Sequence, residues 1–79
     1  MIPVFGFVQG DTLGLVVLVD KADTVRVVSD RLQDSASVRV ARRAHVRVLH
    51  EGNAVDASAT MALLGVRPLD RIDVLEVDP

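Results

Sequence analysis

The sequence contains no cysteine, tryptophan or tyrosine, and its two aromatic residues are Phe5 and Phe7. Without cysteine the chain forms neither a disulfide nor a thiolate metal site, which fits a reducing compartment. No apolar run approaches the roughly 18 residues that a bilayer-spanning helix needs. Residues 1–9 carry no basic segment of the kind that opens a signal peptide, so a cytoplasmic protein with no membrane contact is expected. A net charge of −2 offers none of the overall basic excess usual in nucleic-acid-binding domains. HExxH, Walker and GxGxxG patterns are all missing as well.

What remains is aliphatic. Of the 79 residues, 49% are hydrophobic, valine leads among them, and β-branched side chains favour strands. The length allows one domain, residues 1–79, with a core of modest size. "IPVFGFV" (2–8) and "TLGLVVLVD" (12–20) are two strand-forming runs around Gln9-Gly10-Asp11, a hairpin signal. Pro3 has no N–H for a ladder and belongs at its strand's start. The period then changes. Val25, Val28 and Leu32 share one helical face, Asp23 and Thr24 offer N-cap oxygens, and "QDSAS" reads as a loop ending the helix near Gln33. Val46 and Val48 alternate with His45 and Arg47 as in a half-buried strand. "EGNA" reads as a turn, and a short strand around 54–57 pairs back. One apolar helical turn ends at Gly65, and "RIDVLEV" (71–77) closes the chain as a strand. There is no internal repeat, low-complexity tract or linker.

Hairpin, helix, strand, short strand, one-turn helix, strand is the α+β order of the β-grasp, or ubiquitin-like, fold. One helix packs across one face of a mixed sheet, the last strand lies beside the first, and the second lies at an edge. The run 12–20 is apolar on both faces, yet only one of them can meet the helix. Exposed apolar surface and an open strand edge both mark interaction sites. The candidate docking residues are therefore Leu13, Leu15, Val16, Val17, Leu18 and Val19, joined by Arg39, Arg42, Arg43 and Arg47 from a stretch without acidic residues. Arginine is enriched at protein interfaces, and this run has no interleaved aromatics for base stacking.

Catalytic chemistry finds little to work with. His45 and His50 are five apart, which on a strand puts them on opposite faces and rules out one shared metal. Asp70, Asp73, Glu76 and Asp78 cluster without an apolar pocket to shift their pKa values, and no serine has a base placed by spacing. No catalytic, cofactor-binding or metal-ligating residue is expected. The sequence ends "VLEVDP" rather than in the Gly-Gly of ubiquitin-like modifiers, so conjugation is not expected either.

At this point a family resemblance enters. Ile2-Pro3-Val4, "LVVLVD" (15–20), Asp23-Thr24, "VRVARR" (38–43), "VRVLH" (46–50), "GVRP" (65–68) and "IDV" (72–74) follow a familiar order and spacing. Together they resemble the small ubiquitin-like B, or gamma, subunit of bacterial toluene monooxygenase hydroxylases, multicomponent diiron enzymes. The chain departs from that pattern in having Ile2 for an aromatic residue, and "GNAVDASAT" (52–60) for a Gly-Thr-Leu-Phe-Pro-Arg segment. The resemblance implies a non-catalytic accessory subunit bound to a large alpha subunit, which would hold the diiron centre that activates O₂ for hydrocarbon oxidation. A beta subunit would complete the hydroxylase, and NADH would supply electrons through a reductase and ferredoxin. Two other readings share parts of the pattern: a ubiquitin-like accessory protein of a type VII secretion system, and a small nucleic-acid-binding module using the arginines.

Overall fold

The computed structural model describes residues 1–77, so Asp78 of the carboxylate cluster lies outside the described residues. Strands β1 (Ile2–Val8), β2 (Leu15–Val19), β3 (Val46–His50), β4 (Asn53–Ala54) and β5 (Arg71–Glu76) are interspersed with helices α1 (Val25–Ala36) and α2 (Met61–Leu64). The sheet order is β2-β1-β5-β3-β4, with β1 and β5 parallel and the other pairs antiparallel. This is the β-grasp arrangement, with β2 at an edge as the sequence predicts.

The pleat sorts the residues. Val4, Val8, Val19, Ile72, Val74 and Val48 point to α1 and meet Val25, Val28, Leu32 and Ala36 in one core. Leu32 approaches so closely that a Cβ on Gly6 would lie 2.1 Å from its Cδ2, so a larger residue there must displace the buried Leu32 side chain. Pro3 sits inside β1 without cost to the ladder. Odd residues of β1 turn their amides towards β5, and at the level of Pro3 that strand has not begun. The Pro3 carbonyl on that side accepts from the Leu69 amide at 2.6 Å.

Two sequence boundaries move. The helix runs three residues past Gln33, because Gln33 and Ala36 continue its buried stripe, and the Ser37 hydroxyl donates to the Asp34 carbonyl at 2.7 Å beyond it. Strand β2 begins at Leu15 rather than near Thr12. Asp11 Oδ1 accepts from the Leu13 amide at 3.1 Å, a local turn that competes with the ladder. The strand placed around 54–57 is Asn53–Ala54, entered through Glu51 and Gly52, both with positive φ as a tight hairpin turn demands.

The helix starts hold each other. Thr24 Oγ1 accepts from Val27 N at 3.3 Å, and Thr60 Oγ1 from Leu63 N at 3.1 Å. Further N–H groups of each first turn reach carbonyls before the other helix: Val25 to Ala59 at 2.8 Å, Arg26 to Ala57 at 3.0 Å, Met61 to Asp23 at 2.9 Å and Ala62 to Lys21 at 3.0 Å. Amides orphaned at a helix start are thus paired without solvent.

Candidate docking surface

The sheet face away from α1 carries the odd residues of β1 and the even residues of β2. Val16 is 58% exposed, Leu18 53% and Phe5 39%, and Phe5 faces Val16 across the ladder while Pro3 faces Leu18. Leu13, 51% exposed, precedes β2, and exposed Leu69 lies against Pro3 through its amide. Pro3, Phe5, Val16 and Leu18 form an apolar patch at the β2 end of the sheet. Towards β5 the face becomes charged. The Arg71 guanidinium lies 4.1 Å over the Phe7 ring and pairs with Asp73 at 3.0 Å, which raises the Arg71 pKa. Phe7 is further covered by Gly14, where a Cβ would come within 2.8 Å of the ring.

The edge of β2 is partly closed. Its odd residues pair with β1, so Val16 and Leu18 direct their backbone groups outward. Arg31 of α1 donates to the Leu18 carbonyl at 3.0 Å while held by Asp23 at 3.2 Å.

The structure divides the residues picked out from the sequence. Val16, Leu18 and Leu13 are exposed, but Leu15 and Val17 turn half-buried towards α1, and Val19 is fully buried in the core. Leu15, Val17 and Val19 are therefore removed from the candidate docking residues, because period-two alternation gives consecutive residues opposite faces. The arginines lie elsewhere. Arg39 grips Asp11 through Nε and Nη2, both at 2.9 Å, and this pairing lowers the Asp11 pKa. Arg42 binds Asp30 and Asp34 on α1. Arg43 reaches the Gln9 carbonyl at 2.7 Å and Glu76 at 2.9 Å. Arg47 is on β3, separated from β2 by β5 and β1. Arg39 alone reaches the apolar half, through Asp11 Oδ1, which also accepts from the Leu13 amide, whereas Arg42, Arg43 and Arg47 lie beside α1 and β3. Phe5 and Leu69 were absent from the sequence prediction, although alternation along β1 already puts Phe5 opposite Val4.

His45 is exposed before β3, whereas His50 lies on the helix side with Nε2 2.8 Å from Asp70 Oδ2. The same Asp70 oxygen accepts from Arg67 N at 2.9 Å. That bond first, and His50 second, hold the Asp70 pKa below the ordinary value. The pair fastens the 66–70 loop to β3. Among the described residues no group of three or more His, Cys, Asp or Glu side chains is placed to hold a metal ion, and no helix is long and apolar enough to cross a membrane.

Comparison with known proteins follows this geometry. No curated protein sequence matches the chain. A chain in the structure described as toluene 4 monooxygenase HD complex with inhibitor 4-bromobenzoate is similar at 29% identity and a TM-score of 0.84, with 95% of this chain and 98% of that one covered. Ubiquitin of Caldiarchaeum subterraneum is similar in fold at 18% identity and a TM-score of 0.79, covering 98% of this chain and 95% of its own. A ubiquitin-like domain from Arabidopsis thaliana shares the fold at 19% identity and a TM-score of 0.71, covering 94% and 74% respectively. The family model described as toluene-4-monooxygenase system protein B (TmoB) matches residues 1–75, and the chain belongs to that family.

Proposed function

We propose that this chain is the non-catalytic gamma subunit of a multicomponent diiron hydroxylase that oxidises hydrocarbons with O₂. It docks on the large alpha subunit, with a beta subunit in the same complex. The docking surface consists of Leu13, Val16 and Leu18 with Phe5. Arg39, Arg42 and Arg43 serve contacts within the chain, Arg39 through the Asp11 carboxylate that also holds the Leu13 amide. The observation that carries this reading is the apolar patch of Val16, Leu18 and Phe5 on a member of the TmoB family. Contiguous exposed apolar surface is unusual on a monomer, and obligate interfaces are large and apolar. In this reading the diiron centre belongs to the large subunit, and this chain acts by stabilising or shaping that subunit.

The test is affinity purification of the tagged chain from its native host, with mass spectrometry of what survives a salt wash. Recovery of a large iron-containing subunit in fixed stoichiometry supports the reading. Recovery of the folded chain alone overturns it.

A further inference from the structure

Leu69 is out of place by backbone and by side chain alike. Its φ is 65°, and among the described residues it shares a positive φ outside glycine only with Glu51. Arg67-Pro68-Leu69-Asp70 is a tight turn, closed by the Asp70 amide donating to the Arg67 carbonyl at 3.1 Å. Pro68 suits the first central position, and a positive φ at the second is the type II form, which favours glycine or asparagine. Glu51 has a reason within the fold, because its Oε1 accepts from the Arg71 amide at 2.6 Å. Leu69 has none. Its side chain is 55% exposed and stands outside the core. A bulky residue at positive φ is strained, and such strain gathers at binding and catalytic sites.

The surroundings hold the turn in that strained form. Leu69 N donates to the Pro3 carbonyl at 2.6 Å, and the Asp70 carbonyl accepts from Phe5 N at 2.9 Å. Asp70 Oδ2 takes the Arg67 amide at 2.9 Å and meets His50 Nε2 at 2.8 Å. On its other side Pro3 faces Leu18, so Leu18, Pro3 and Leu69 occupy one row across the sheet. The next row is Val16, Phe5 and Arg71. Leu69 therefore stands at the corner of the apolar patch, on a turn tied to both β1 and β3. We propose that Leu69 is an anchor of the docking surface, entering an apolar recess of the hydroxylase large subunit beside the seat of Pro3, Phe5, Val16 and Leu18. This inference rests on the hydroxylase reading and adds a residue outside those named for it. Continuity with the patch names the occupant, since a partner that covers Leu18 and Pro3 meets the next place in their row. The turn is already ordered in the free chain, so association loses little freedom there and the burial of leucine counts nearly in full. A lone exposed leucine on an unstrained turn would call for no such role.

The experiment sets tagged variants against the untagged wild-type chain, coexpressed with the large and beta subunits, and counts each form in the assembled complex by mass spectrometry. Leu69→Gly removes the side chain and suits the backbone, so the urea midpoint of the free chain should equal or exceed the wild-type value. Its share of the complex should nevertheless fall about tenfold or more. Leu69→Met keeps the apolar bulk and should recover most of that share. Assembly of Leu69→Gly at the wild-type share, or a lowered midpoint, would overturn the proposal. The pair Val16→Lys with Leu18→Lys separates this failure from failure of the reading beneath it. Exclusion of the pair with full assembly of Leu69→Gly removes Leu69 alone, whereas full assembly of both removes the patch as well. A dimer of the free chain that Leu69→Gly dissociates would overturn the proposal too, giving the leucine to a second copy.

Discussion

Gln33 binds the main chain of Arg43 in both directions: its Oε1 accepts from the Arg43 amide at 2.7 Å and its Nε2 donates to the Arg43 carbonyl at 3.3 Å. One buried side chain thereby does what a strand neighbour would, fixing the loop between α1 and β3. Gln33→Leu keeps the volume but leaves that main chain unpaired, at a cost of about 1–3 kcal/mol. Urea unfolding should show the loss, and exchange of the Arg43 amide should accelerate. An unchanged midpoint would show that water replaces Gln33 without penalty.

Gly6 and Leu32 make a second test. Adding a methyl at Gly6 drives it into a fully buried side chain, so Gly6→Ala should cost about 1–3 kcal/mol by overpacking. Leu32→Ala alone should cost about 2–5 kcal/mol. The double variant should be less destabilised than the sum, because the cavity accommodates the methyl. Strict additivity in thermal or urea unfolding would mean the two sites do not share that space.

Acid should loosen the hairpin. The Arg39 guanidinium holds the Asp11 carboxyl below its ordinary value, and the Arg67 amide with His50 does the same for Asp70. A folded pKa below the unfolded one means that the stabilisation is fully present above the ordinary carboxylate value, about 4, and is lost as pH falls through the lowered folded values. The urea midpoint should therefore decline below about pH 4. Asp11→Asn should begin lower and decline less steeply. Parallel curves for the two proteins would remove Asp11 from the acid transition.

The exposed patch should be separable from the fold. Val16→Lys with Leu18→Lys changes only outward positions, so stability should stay within about 1 kcal/mol. Burying a valine or leucine contributes about 1.5–3 kcal/mol, so losing both should weaken association with the large subunit at least about a hundredfold. Copurification at wild-type yield would move the interface to another face.

Much of this architecture is legible before any coordinates exist. The alternation of β3 and β5, an N-cap at Asp23 or Thr24 and the glycine end of α2 all follow from local chemistry. What escapes is decided by distant partners. "QDSAS" looks like a loop until Ala36 meets the core and Gln33 finds Arg43 ten residues on. The arginines look like one surface because they are close in sequence, but Asp11 draws Arg39 to the turn before β2, while Asp30, Asp34 and Glu76 hold Arg42 and Arg43 beside α1 and β5. The patch is half legible: the run 12–20 reveals its strand, whereas Phe5 emerges only when β1 is laid beside it.

Arg31 bears on the interval before any partner arrives. A newly made subunit with an apolar sheet face beside a bare edge strand is the kind of molecule that stacks edge to edge into fibres. By occupying the Leu18 carbonyl, Arg31 removes one of the few acceptors such stacking needs and puts a cation in its path. The apolar face stays presented while lateral growth of the sheet is discouraged. On the proposed reading, the chain is met from the front rather than from the side.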